Sequence, residues 1–123
     1  MIRQILLVAL GGSLGSVARY LCHRWMLMIF PHAFPIGTFL VNIIGCFLIG
    51  LFWGMPFKAS EAEYWKLFLM TGLCGGFTTF SAFTLEGIGL IRDQKTGLFL
   101  LYVAASVLVG LLATWAGMRL VRI

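Results

Sequence analysis

Charged side chains are scarce in this sequence. Asp, Glu, Lys and Arg make up 11% of the 123 residues, whereas apolar residues make up 61%. A soluble domain has about 25% charged and about 45–50% apolar residues, so the composition argues against a soluble globule and against a disordered chain. The net charge of +5 does not indicate a nucleic-acid binder, because the basic residues are scattered among apolar runs. The basic excess fits a protein that contacts anionic headgroups or handles anions.

Side-chain groupings for catalysis or metal binding are also lacking. Cys22, Cys46 and Cys74 lie within apolar runs without Cys-x-x-Cys spacing, which predicts buried thiols rather than disulfides or a metal site. His23 and His32 have no partner cluster, so no zinc site is predicted. The sequence also contains no Ser-His-Asp or paired-carboxylate pattern. We therefore predict that the protein is not an enzyme.

Apolar runs divide the chain into four segments that are long enough to cross a bilayer. A membrane helix needs about 20 apolar residues at a rise of about 1.5 Å each. The predicted spans are residues 4–29, 36–55, 67–91 and 96–118. They leave room only for tails and short loops, so no soluble catalytic domain fits. The sequence predicts a single all-α, four-helix transmembrane domain over residues 1–123, whose function lies inside the membrane.

Basic residues are nearly balanced between the two sides of this predicted bundle. The side with both tails and the middle loop carries five of them, and the other side carries three or four. The positive-inside rule normally gives a clearer asymmetry. Either short loops give noisy counts, or the chain inserts in both orientations and two opposed copies form an antiparallel dimer. Four short helices pack around a filled interior, so a conduction path would lie between subunits.

The centre of the third span is predicted to be a broken helix. The adjacent glycines Gly75 and Gly76 and the adjacent threonines Thr78 and Thr79 are poor residues for a helix interior. Backbone groups that are freed inside a membrane must be satisfied by protein, water or an ion. Carbonyl groups at such a break can hold a cation. Near a two-fold axis, carbonyl groups from two copies of the chain would together surround the cation.

Phenylalanines recur every three residues across this segment, at Phe77, Phe80 and Phe83, and are predicted to share one helix face. Core packing is the ordinary explanation of such a stripe. However, aromatic ring edges carry partial positive charge, and with hydroxyl donors they would meet a small anion without binding it tightly. The hydroxyl residues interleaved with the rings are Thr79, Ser81 and Thr84.

Polar residues in the second and fourth spans leave structural and functional roles open. Asn42, in the middle of the second span, either makes an interhelical hydrogen bond or donates to a passing ligand. In the fourth span, polar and small residues recur every four positions and form either a packing face or a polar track. These residues are Tyr102, Ser106, Gly110 and Thr114.

Two charged residues lie within predicted spans. Glu86 either snorkels, pairs with an arginine such as Arg19, or serves as a proton or cation site. Arg19 either snorkels to the interface or draws anions into a vestibule.

Three segments, residues 11–20, 37–45 and 72–83, resemble the Fluc (CrcB) fluoride channels. They read Gly-Gly-Ser-Leu-Gly-Ser-Val-Ala-Arg-Tyr, Gly-Thr-Phe-Leu-Val-Asn-Ile-Ile-Gly and Gly-Leu-Cys-Gly-Gly-Phe-Thr-Thr-Phe-Ser-Ala-Phe. The match keeps their order and covers essentially the whole chain. The resemblance implies an antiparallel, dual-topology homodimer with two fluoride pathways. It also implies passive fluoride export across the bacterial inner membrane, which reduces fluoride toxicity.

The resemblance further implies roles for individual residues. A structural sodium ion would lie at the dimer centre on the backbone carbonyls of Gly75 and Thr78. The fluoride pathway would consist of Asn42, Thr79, Phe80, Ser81, Phe83, Tyr102 and Ser106. Arg19 and Glu86 match family positions whose roles stay open. This chain has Ala82 and Gly110 where the family often has hydroxyls, and Thr84 or Thr114 would compensate.

Two other functions fit four short spans. A proton-coupled exporter of the small multidrug-resistance type needs an acid in the first span, where this chain has Arg19 instead. In a non-transporting assembly subunit the glycines would all serve packing, but neither the predicted break nor Asn42 would be explained.

Overall fold

Four long apolar spans, the third of them broken, build the part of the protein that the structure describes. The computed structural model describes residues 1–30 and 33–122, so the prediction for His32 lies outside the described residues. The helices are α1 (Ile2–Ile29), α2 (Ile36–Gly54), α3 (Ala62–Lys66), a π-helical segment (Leu67–Cys74), α4 (Gly75–Phe77), α5 (Phe80–Arg92) and α6 (Thr96–Arg122). The candidate membrane spans are Ile2–Ile29, Ile36–Gly54, Ala62–Arg92 and Thr96–Val121. The prediction of an all-α membrane protein with a broken third span is confirmed.

Glycines set how closely the spans approach. A Cβ added at Gly72 in the third span would lie 3.0 Å from the Cα of Gly11 in α1. A Cβ at Gly50 in α2 would lie 3.1 Å from the Met118 nitrogen in α6. Small residues are what allow membrane helices to come this close. The bundle therefore contains two tight pairs, the first span with the third and the second with the fourth.

The break in the third span lies at the threonines and not at the glycines. Gly75 and Gly76 are part of α4, and no glycine in the described part of the chain has a positive φ. Thr78 and Thr79 are extended, with ψ of 160° and 116°. The Thr79 hydroxyl accepts a hydrogen bond from the Ala82 N–H at 3.1 Å and so caps α5. Gly76 serves close packing, because a Cβ there would lie 3.1 Å from the Gly12 Cα.

The prediction that Phe77, Phe80 and Phe83 share one helix face is wrong. Phe77 is 8% exposed and faces the interior, whereas Phe80 is 76% exposed. The two extended residues between them interrupt the helical repeat and change the direction in which the following side chains point. Phe80 and Phe83 stay together because both belong to α5.

Candidate functional site

An asparagine of the second span holds the broken backbone of the third. Asn42 Nδ2 donates to the Thr79 carbonyl at 3.1 Å, and the Thr79 N–H donates to Asn42 Oδ1 at 2.8 Å. The side-chain amide thus satisfies both polar groups of a residue that has left the helix. The interhelical hydrogen bond, one of the two interpretations of Asn42, is present. A primary amide has a second N–H, so this structural role does not exclude donation to a ligand.

Gly75 and Thr78, whose carbonyls are the predicted sodium ligands, lack the backbone hydrogen bonds that these carbonyls would accept in a helix. In a continuous helix, the Gly75 carbonyl would accept from the N–H of Thr79, and the Thr78 carbonyl from the N–H of Ala82. The Thr79 N–H instead donates to Asn42, and the Ala82 N–H donates to the Thr79 hydroxyl. The break therefore diverts both donors, which suits these carbonyls to a cation that prefers oxygen ligands.

Gly75 lies on the open face of the chain. It is exposed, and a Cβ added there would have only the Met70 carbonyl oxygen within 4 Å, at 3.8 Å. Thr78 beside it is partly exposed. In a membrane, polar backbone on such a face has to be covered by something other than lipid tails.

A cleft of about 420 Å³ runs along the break. The structure brings most of the predicted site residues together in its walls. Those residues are Asn42, Gly75, Thr78, Thr79, Phe80, Phe83 and Ser106. Ser81 and Tyr102, both within the described part of the chain, do not line the cleft, but each contacts residues that do.

A row of aromatic rings leads from the exposed face into the interior. The ring centroids of Phe80 and Phe83 are 5.8 Å apart with planes at 40°, and those of Phe83 and Tyr102 are 5.0 Å apart at 55°. Tyr102 is fully buried. Tilted rings present their electropositive edges to a neighbouring group. The row can therefore stabilise an anion without a formal positive charge.

The hydroxyl groups near the cleft differ in whether they already donate a hydrogen bond. The Ser106 Oγ is buried, and among the described residues it has no hydrogen-bond partner. Thr84 donates to the Ser81 carbonyl at 2.9 Å, and Thr114 donates to the Cys46 carbonyl at 3.0 Å. A hydroxyl has one proton, so Thr84 and Thr114 have already committed theirs to backbone. They do not offer the donors missing at Ala82 and Gly110.

The predicted polar track of α6 is therefore split between two neighbours. Tyr102 faces α5 and donates to Glu86 at 3.4 Å. Thr114 faces α2 through Cys46, and a Cβ at Gly110 would lie 3.4 Å from the same cysteine's sulfur. The part of the track with Gly110 and Thr114 is therefore a face on which α6 packs against α2.

Glu86 is held by groups that the sequence did not pair with it. The buried Thr38 hydroxyl donates to its Oε1 at 2.6 Å, and His23 Nε2 lies 3.9 Å from the same oxygen. In the described part of the chain, the basic side chain within 4 Å of the Glu86 carboxylate is His23 and not Arg19, which is half-buried in α1. Sequence reasoning missed His23 and Thr38 here. The position of Thr38 one turn before Asn42 was the available signal.

Comparisons with known proteins agree on one family. The family model of "CrcB-like protein, Camphor Resistance (CrcB)" matches residues 6–118. A protein from Flavobacterium psychrophilum is 46% identical over 121 residues, which cover 98% of both chains. One from Rhizobium meliloti is 48% identical over 120 residues, covering 97% of this chain and 96% of the other. Both relatives are named fluoride-specific ion channel FluC.

Proposed function

Because this chain belongs to the CrcB family, we propose that it is a fluoride-specific ion channel. The observation that carries the proposal is the 46% identity, over 98% of both chains, to a relative named as such a channel. The geometry supports it, since the cleft at the break combines ring edges, an amide and a hydroxyl with no fixed charge in its walls. Dipoles of this kind bind an anion weakly enough to release it, as conduction requires.

The direction and place of transport belong to the same proposal. A channel adds no energy, so fluoride would leave a bacterial cell down its own gradient across the inner membrane and its toxicity would fall. The proton-coupled exporter has less support, because Glu86 lies in the third span and is already bonded to Thr38. The alternative function, a non-transporting assembly subunit, does not explain a cleft whose walls can stabilise an anion.

A second, inverted copy of the chain is the proposed cover for the open face. An unsatisfied backbone group in lipid costs several kcal/mol, and Gly75 and Thr78 present theirs near this face. The nearly even charge balance of the loops favours insertion in both orientations. An antiparallel pair would bring the two breaks together on the two-fold axis. Each cleft would then gain its missing wall from the partner.

A sodium ion at this axis is the proposed ligand of the Gly75 and Thr78 carbonyls. The fit rests on the diverted helical donors, which leave each copy with two oxygens for the ion. The ion would neutralise converging carbonyl dipoles and hold the two breaks together. Its charge would also favour anions nearby.

Flux measurement tests the channel directly. The full-length protein is reconstituted into liposomes loaded with potassium fluoride, valinomycin is added, and fluoride release is followed with an electrode. We expect rapid fluoride efflux and negligible chloride efflux in parallel vesicles. Fluoride release no faster than from protein-free liposomes would overturn the proposal.

Sodium dependence tests the ion. We expect the thermal midpoint of the purified dimer to rise by roughly 5–10 °C between trace and saturating sodium, because a ligand at 100-fold its Kd adds about 2.7 kcal/mol and each kcal/mol moves a protein of this size by about 2–4 °C. N-methylglucamine chloride at the same ionic strength is the control. Equal midpoints in the two salts would contradict a sodium site.

A further inference from the structure

A second cleft, of about 580 Å³, opens at the start of the third span, away from the break. One wall is the beginning of α1, with Arg3, Leu7 and Leu10. The other is the beginning of the third span, with Glu61, Tyr64 and Phe68. None of these residues takes part in the proposed fluoride pathway. The volume falls within the range of about 300–1,000 Å³ that small-ligand sites occupy.

The two walls share one polarity gradient. Arg3, Leu7 and Leu10 are spaced as i, i+4 and i+7, and so lie on one face of α1. The charged residue is at the helix start, and Leu10 lies about 10 Å deeper at a rise of about 1.5 Å per residue. The opposite wall repeats this order from Glu61 to Phe68. The cleft is thus charged at the membrane surface and apolar towards the bilayer interior, which matches an amphiphile.

Aromatic rings mark the surface end of the cleft at headgroup depth. Trp65 also lines it and stacks on Phe57, with ring centroids 5.9 Å apart and planes at 7°. Tyr64 lies beneath the Arg3 guanidinium, 5.5 Å from ring centroid to Cζ. Tryptophan and tyrosine concentrate at the membrane–water interface. Their presence puts Arg3 among lipid headgroups rather than in open water.

The two charges of the cleft are opposite and do not neutralise each other. In the part of the chain that the structure describes, the Arg3 guanidinium and the Glu61 carboxylate do not come within the 4 Å of an ion pair. A cation and an anion that line one cleft without pairing are complementary to a zwitterion. An anionic lipid would satisfy Arg3 but would be repelled by Glu61.

We propose that this cleft binds a phosphatidylethanolamine-type lipid, with its phosphate at Arg3, its ammonium at Glu61 and the start of an acyl chain against Leu7, Leu10 and Phe68. Arginine binds phosphate through paired N–H donors. A primary ammonium donates charge-assisted hydrogen bonds to a carboxylate, which the quaternary ammonium of phosphatidylcholine cannot do. The two side chains therefore have separate tasks, retention by Arg3 and headgroup selection by Glu61.

Lipid retention in two matched pairs of variants tests the assignment. The full-length protein is reconstituted into vesicles with equal parts of palmitoyl-oleoyl phosphatidylethanolamine, phosphatidylcholine and phosphatidylglycerol. It is then extracted in mild detergent, and the retained lipids are quantified by mass spectrometry. Glu61→Gln is compared with Glu63→Gln, and Arg3→Gln with Arg119→Gln. Glu63 and Arg119 do not line the cleft, and Arg119 lies over Trp115 at 5.7 Å, much as Arg3 lies over Tyr64.

We expect the wild type to retain phosphatidylethanolamine about three- to fivefold over phosphatidylcholine, the scale of one exposed ion pair. Glu61→Gln should abolish this preference and increase phosphatidylglycerol, whereas Arg3→Gln should lower all three lipids. Both control variants should behave as the wild type, and unchanged helical circular dichroism would show that every variant folds. Equal lipid profiles for Glu61→Gln and Glu63→Gln, or a wild type that prefers phosphatidylglycerol, would overturn the proposal.

Discussion

Replacing Asn42 with alanine is expected to reduce fluoride efflux about a hundredfold, because two buried partners lose their hydrogen bonds and each unsatisfied group costs about 1–3 kcal/mol. The partners are the N–H and the carbonyl of Thr79, which bond to the Asn42 amide at 2.8 and 3.1 Å. Without the amide, the Thr79 N–H and carbonyl would lose the partner that holds this extended backbone in place. The variant would therefore lose the cleft wall and the proposed sodium ligand together.

Initial efflux rates from liposomes measure this effect, with Ile44→Ala as the control on the same helix. Ile44 is 45% exposed and does not line the cleft, so its truncation should leave flux within about twofold of the wild type. Asn42→Asp separates the two functions of the amide, since it keeps an acceptor for the Thr79 N–H but removes the donor. We expect it to be more stable than Asn42→Ala yet equally poor at conduction. Wild-type flux in Asn42→Ala would contradict the structural role.

The sequence was sufficient to predict the four spans and the broken third one, because the signals for these features are local. Span length and hydropathy act within each helix, and poor helix formers in the third span predicted a break near its centre. The particular residues at the break depend on contacts between spans. The glycines remain helical because Gly76 packs against Gly12 of α1. Thr79 leaves the helix because the Asn42 amide binds both its N–H and its carbonyl, and the neighbouring Thr78 is extended as well.

The side chain that contacts Glu86 could not be predicted from the sequence. Glu86 has several partners available by spacing alone, and the rotation of α1 decides between Arg19 and His23. In the structure His23 lies 3.9 Å from Glu86, and a Cβ at Gly37 would lie 3.3 Å from the His23 ring, so the absence of a side chain there admits the imidazole. The register between helices is a property of the packed bundle, and a single helix does not encode it.

The scarcity of charged side chains can be explained by the requirements of anion conduction at the break in the third span. An arginine or lysine side chain in the cleft would pair directly with fluoride and slow its release. The chain instead places amide, hydroxyl and ring-edge dipoles there. The Glu86 carboxylate does not line the cleft, and it accepts hydrogen bonds from Thr38 of α2 and Tyr102 of α6. A site built from dipoles has to be held in place by packing, because no strong ion pair fixes its geometry.

Packing at the glycines is accordingly where stability should be most sensitive. We expect Gly76→Ala to lower the free energy of unfolding by about 1–3 kcal/mol, the cost of overpacking a tight contact. The new Cβ would lie 3.1 Å from the Gly12 Cα, and backbone on both sides cannot yield as a side chain would. The first and third spans would separate, and the break would lose its support from α1.

Gly89→Ala is the matched control, because it makes the same substitution in the same span. A Cβ at Gly89 would have nothing within 4 Å, and alanine is a better helix former than glycine by up to about 1 kcal/mol. Unfolding in mixed micelles, followed by circular dichroism, should show Gly89→Ala at or above the wild type and Gly76→Ala well below it. If the two variants unfolded at the same denaturant concentration, Gly76 would have no role in packing the third span against α1.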